Sequence, residues 1–155
     1  MVETTTVNNV NTRYLIFSDT HGLENPPNFV LRHDADVAIH CGDLTTESKI
    51  DEHKASVRFL RAVNAPLKPV IAGNHDFSMN IPVFQRKVAD AQPLDPELVE
   101  KFYGCYQEAR GLFDQEKEAG ITFLDEGTHS FRLQNGALLK IYASPYTPSL
   151  GDWGF

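Results

Sequence analysis

Val70-Ile71-Ala72-Gly73-Asn74-His75-Asp76 passes in one step from a short apolar run to a glycine, an amide, an imidazole and a carboxylate. An apolar run of this length, closed by a turn residue, reads as a strand covered on both faces. The polar group then falls at the C-terminal end of the strand. Two upstream segments have the same design: Tyr14-Leu15-Ile16-Phe17-Ser18 runs into Asp19-Thr20-His21, and Val37-Ala38-Ile39-His40 runs into Gly42-Asp43. From Ser48 to Asn64 the spacing of Ile50, Val57, Leu60 and Val63 predicts a helix with one buried stripe. A Ser48-x-x-Asp51 capping pattern opens it, and it closes before Pro66. Strand, helix and strand with short connections imply parallel pairing, which puts every strand's C-terminal end on one edge of the sheet. Open α/β sheets bind ligands along that edge.

Each residue taken singly has a plain structural reading, because Asp, Asn and His all cap turns and Asp-x-His arises by chance. Their joint occurrence at three successive strand ends favours a site. Two residues apart at a strand end, Asp19 and His21 can converge on one cation, and neutral imidazole with carboxylate suits Zn, Fe or Mn. Asp43 adds a carboxylate one strand over that can bridge two cations. Asn74 offers a neutral oxygen, and Gly73 frees the backbone to turn sharply before it. His75 lies beside the metals as a proton donor to a leaving alkoxide or as a contact to a phosphoryl oxygen, with Asp76 orienting its ring.

The remaining chain supplies a single domain without internal repeats. Residues 1–12 read as a flexible leader, and Pro26-Pro27 breaks the loop before one helical turn near Asn28 to His33. Asp95-Pro96-Glu97 is a strong helix start. Leu98, Phe102, Tyr106, Ala109 and Phe113 carry one apolar core stripe to a stop at Gly120. Ile121 to Leu124 forms a further strand, and Asn135-Gly136 predicts a tight hairpin between Phe131-Arg132-Leu133 and Leu138 to Ala143. With 155 residues, 41% of them hydrophobic, the chain can bury one sizeable core. Fourteen basic against 21 acidic residues give a net charge of −7, and the basic residues are scattered. That argues against a nucleic-acid duplex as partner. No segment resembles a signal peptide or membrane span, so the expected location is cytoplasmic with no membrane partner. Two cysteines are too few for a disulfide framework, and Cys41 reads as a small core residue.

The three motifs resemble those of the calcineurin-like metallophosphoesterases, whose Asp-x-His, Gly-Asp and Gly-Asn-His-Asp/Glu stand here as Asp19-Thr20-His21, Gly42-Asp43 and Gly73-Asn74-His75-Asp76. Ile141 to Pro148 followed by Asp152-Trp153-Gly154-Phe155 is similar to the brain-type subgroup of metallophosphoesterase-domain-containing proteins. The resemblance implies an α/β fold, a metallophosphoesterase-type β-sandwich flanked by helices with a mixed, largely parallel sheet. It also implies up to two divalent transition metals (Mn, Fe or Zn). Asp19 and His21 bind the first, Asp43 bridges, Asn74 binds the second, and His75 contacts the phosphate. Metal-activated hydroxide then hydrolyses a phosphomonoester or phosphodiester substrate, as a phosphatase or phosphodiesterase.

Family members continue with a histidine after a further strand and then a Gly-His-x-His motif, and neither occurs here. The spare histidines His33, His40, His53 and His129 have the wrong settings to replace them, and His40 reads as support behind the site. Residues 13–155 are therefore expected to be the N-terminal portion of the domain, truncated at its C-terminal side, with activity impaired by the absent ligands. An exposed sheet edge would favour self-association or a complementing chain. The alternative is a catalytically inactive metal- or partner-binding remnant of the same fold.

Overall fold

A computed structural model describes residues 9–91, 93–146 and 155. Strand β1 (Tyr14–Phe17) leads into the Asp19 segment, and one turn of helix, α1 (Asn28–Leu31), follows the two prolines. Strand β2 (Val37–His40), helix α2 (Ile50–Ala62) and strand β3 (Lys68–Val70) make the parallel unit that the apolar pattern predicts. Helices α3 (Ile81–Asp90), α4 (Pro96–Tyr103) and α5 (Glu108–Asp114) lead to strand β4 (Ile121–Phe123). Strands β5 (Gly127–Arg132) and β6 (Leu138–Ala143) then form an antiparallel hairpin around Asn135-Gly136.

The first four strands form one all-parallel sheet in the order β1-β2-β3-β4. Phe17 stands opposite His40, and His40 opposite Val70. With the strands in register, the Asp19, Asp43 and Gly73 segments leave the sheet side by side. This is the α/β arrangement with a largely parallel sheet that the sequence implies. Helix α2 turns Val57, Phe59 and Leu60 onto the sheet, and α5 adds Phe113, so that Ala38, Leu44, Val70 and Ile121 are sealed from water. Each fully buried Leu or Phe contributes about 1.5–3 kcal/mol, which makes this layer the rigid base of the strand ends. No helix among the described residues is long and apolar enough to cross a membrane.

Three local expectations are corrected. Strand β3 starts at Lys68 rather than Val70, and beyond it pairing with β2 continues through the Ile71 N–H to the His40 carbonyl at 3.1 Å. Helix α2 starts at Ile50 because Ser48 takes a left-handed backbone (φ 61°), and Glu52 rather than Asp51 reaches back to the Lys49 N–H at its start. The long helix after Asp95 is two helices. Gly104 (φ 75°) ends α4, and Gln107 (φ 73°) precedes α5. The predicted stripe is therefore cut in half: Ala109 and Phe113 are buried, whereas Leu98, Phe102 and Tyr106 are exposed. Of the leader, residues 1–8 lie outside the described residues, as do residues 147–154 of the subgroup-like stretch. Asn11 and Thr12 are held by the Asn135 side-chain amide.

Candidate metal centre

Backbone hydrogen bonds lock the loop after β1 to the loop after β2. The Asp19 N–H donates to the Gly42 carbonyl (3.0 Å), the His21 N–H to the Asp43 carbonyl (3.1 Å) and the Gly22 N–H to the Leu44 carbonyl (2.7 Å). Asp19 and His21 are therefore fixed relative to Asp43 by main chain alone. Beneath them, the buried His40 accepts the Gly42 N–H at Nδ1 (3.2 Å). Its Nε2 is thus the protonated nitrogen and donates to the Thr20 hydroxyl (2.9 Å). Burial pushes this imidazole down to about 4, against the opposing pull of the Asp19 charge. His40 is a neutral strut behind the site, as its place in the sequence suggests.

The two imidazoles of the site are oriented by a single stretch of chain. His21 Nδ1 lies 2.9 Å from the Thr45 carbonyl, and His75 Nδ1 lies 2.8 Å from the Thr46 carbonyl. A carbonyl only accepts, so both Nδ1 atoms carry a proton, and Nε2 is the lone-pair nitrogen of either ring in its neutral form. Metal-ligating histidines are commonly held in this way. The rings meet edge to face, with centroids 4.9 Å apart. One ligand atom from each of His21, Asp43 and His75 falls within 4.8 Å of the others. Asp19 adjoins this group, its Oδ1 lying 3.9 Å from His21 Nε2.

Asp43 is held in place from two sides. Its Oδ1 accepts the His75 N–H at 3.0 Å, and Gly73 packs flush against it. A Cβ at Gly73 would sit 2.3 Å from both the Asp43 nitrogen and Oδ1. Gly73 is thus required for close approach, not for the sharp turn expected of it. Gly42, by contrast, has φ 99°, and a Cβ there would also meet Gly73 at 2.9 Å. Asp19 (φ 55°), His21 (φ 44°) and Asp43 (φ 54°) all adopt the left-handed region. That region costs a non-glycine residue on the order of 1–3 kcal/mol, and such strain clusters at functional sites.

Asp76, read from the sequence as orienting the His75 ring, is spent elsewhere. It is fully buried and accepts four hydrogen bonds: from the Leu44 and Gly73 N–H groups at Oδ2, and from the Thr45 N–H and hydroxyl at Oδ1. Burial pushes its carboxyl up to about 6, against the downward pull of these bonds. The ring's orienting partner is the Thr46 carbonyl instead. Thr45 and Thr46 were missed in the sequence, since their carbonyls do the work and a backbone role leaves no residue-type signal.

Asn74 shares a polar recess of about 180 Å³ with Asp19 and Asp43 at the strand ends, and Ser144 from the end of β6 completes its wall. Cys41 also lines it and is exposed, which corrects its reading as a core residue; the pleat turns it away from the core that His40 faces. Among the described residues no lysine or arginine lines the recess, so nothing cationic among them competes with its carboxylates. Imidazole nitrogens beside carboxylates are a donor set that fits a divalent transition metal. Larger hollows among the described residues lie elsewhere, such as an apolar one of about 260 Å³ between α3 and α4 and one of about 400 Å³ beside Phe131.

Among known families, that described as calcineurin-like phosphoesterase matches residues 12–143. Metallophosphoesterase domain-containing protein 1 of Homo sapiens and its namesake in Mus musculus are each 28% identical over 148 residues, covering 93% of this chain and 40% of theirs. A protein of Emericella nidulans named probable rhamnogalacturonate lyase C is 28% identical over 143 residues, 92% of this chain and 11% of its own. The chain thus spans well under half the length of each of these relatives.

Proposed function

The chain belongs to the calcineurin-like phosphoesterase family, and from that premise we propose that it hydrolyses phosphate esters, monoesters or diesters, with divalent transition metals. The observation that carries this reading is the convergence of His21, Asp43 and His75, from three successive strand ends, to within 4.8 Å. In this assignment Asp19, His21, Asp43 and Asn74 would hold the cations, with Asp43 placed to serve both. Bound cations supply Lewis acidity, lowering the pKa of water and neutralising charge that develops on the phosphoryl group.

The chain's own residues do the rest. The Thr46 carbonyl fixes the His75 ring with Nε2 outward, so that in its protonated form this nitrogen donates to a phosphoryl oxygen or to the departing alkoxide. Protonating Nε2 requires no tautomer exchange, because Nδ1 keeps its proton throughout. Asp76 acts at one remove. By gathering the Gly73, Leu44 and Thr45 N–H groups it ties the loop after β3 to the loop after β2 and keeps His75 over Asp43.

The test is manganese-dependent hydrolysis of an aryl phosphodiester and an aryl phosphomonoester by the purified chain, with bound metal and solution mass determined on the same sample. Metal-dependent turnover that Asp43→Asn abolishes supports the reading. Unchanged turnover in that variant rules out Asp43 as the shared ligand, and a chain that neither binds manganese nor turns over either ester contradicts the function itself.

A further inference from the structure

The carbonyls that orient His21 and His75 belong to adjacent residues, Thr45 and Thr46, in the loop between β2 and α2. Placement of both rings therefore depends on what holds that loop. Asp76 fastens it at Leu44 and Thr45. Its outer half is fastened by Glu52, whose carboxylate accepts the N–H groups of Thr46 (3.0 Å), Glu47 (3.1 Å) and Lys49 (3.0 Å). A helix-capping acid at this position accounts for the Lys49 bond alone. The other two donors lie upstream of the helix, and one is the amide of the residue whose carbonyl holds His75. The same side chain also supports the His21 loop: a Cβ on Gly22 would come within 3.3 Å of Glu52 Cγ, so the chain passes flush over its stem.

We propose that Glu52 is a positioning residue for both imidazoles, setting their tautomer and direction through the Thr45-Thr46 carbonyls. The proposal rests on the reading of His21 and His75 as groups facing a metal and a phosphate. A carboxylate meets the requirement because it offers acceptors only. The amide of Gln would set an N–H₂ against an N–H whichever way it turned.

The test compares wild type with Glu52→Gln, with Glu52→Asp and with Glu116→Gln as control. Glu52→Asp keeps an acid in the first turn of α2 but draws it back by one methylene. Glu116 makes a paired contact to Arg61 far along the same helix. Imidazole ¹⁵N NMR of the metal-free chain reads the tautomers, and calorimetric titration with manganese reads metal affinity. In wild type and in the control, His21 and His75 show protonated Nδ1. In both Glu52 variants that preference is lost, and manganese affinity falls about 10–100-fold, the usual effect of removing an outer support of a ligand. Retention of the Nδ1–H tautomer at both rings in folded Glu52→Asp overturns the proposal. If wild type takes up no manganese, the metal reading fails, while the tautomers still decide the role of Glu52.

Discussion

Replacing Gly73 by alanine tests whether the placement of Asp43, rather than its mere presence, makes the site. The added methyl would lie 2.3 Å from the Asp43 nitrogen and from its Oδ1, and 2.9 Å from its Cγ. Favourable contact between non-bonded atoms begins near 3.5 Å, so the two strand ends must part by roughly 1 Å. The methyl meets backbone and a carboxylate that the His75 N–H already pins, not the free end of a flexible chain. Overpacking of this kind costs about 1–3 kcal/mol, and a misplacement of about 1 Å in a reacting constellation costs on the order of 100-fold in rate. The assay pairs urea unfolding of the metal-free chain with manganese titration, using Gly111→Ala as control. Gly111 lies within α5 with nothing inside 4 Å of an added Cβ, so alanine there should stabilise by about 0.5–1 kcal/mol. Gly73→Ala with wild-type manganese affinity would refute the argument that Gly73 exists to admit Asp43.

His75→Ala should lower turnover with little change in metal content, and loss of metal would make His75 a ligand instead of a proton donor. Asp76→Asn replaces two acceptor sites with an N–H₂ facing buried N–H donors, so the variant should lose about 2–4 kcal/mol in urea unfolding, with no loss if the carboxylate is dispensable. Burial pushes His53 down to about 3, so below the ordinary imidazole value the unfolded chain binds a proton that the folded chain refuses. Stability should therefore rise with pH from about 3 to 6.5 and be lost as pH falls through that window. Between pH 6.5 and 5 the loss is between about 1 and 2 kcal/mol, because the slope climbs from half of 1.36 kcal/mol per pH unit at 6.5, where the unfolded imidazole is half protonated, to nearly the full value at 5. His40 has the same sign, so the contribution of His53 is the difference in slope between wild type and His53→Gln; parallel profiles would show that His53 charges without penalty.

The strand ends were legible because each apolar run stops at a polar cluster, and a parallel sheet in register carries that one-dimensional pattern into space. The hairpin was equally plain, since Asn135-Gly136 dictates its own turn. The helix after Asp95 departs from its periodicity because a periodic pattern counts positions without asking whether the backbone continues through Gly104. In the site, residue types betrayed His21, Asp43 and His75 but not their supports. Thr45 and Thr46 act through carbonyls that every residue possesses. Asp76 stands next to His75 in sequence, yet the chain turns between them, sending one side chain under the loop and the other above it. Cys41 escaped because alternation at a strand's end depends on where the strand stops, a matter of one residue.

The left-handed backbone at Asp19, His21 and Asp43 has an evolutionary corollary. Glycine would relieve that strain at every one of these positions, so mutational drift, left to stability alone, runs downhill toward erasing these side chains. What the fold draws from these side chains is local: Asp43 accepts the His75 N–H, and His21 donates to the Thr45 carbonyl. A chain that carries all three is living above its thermodynamic optimum, and a screen that selects only for thermal resistance should recover loss of the site among its first successes.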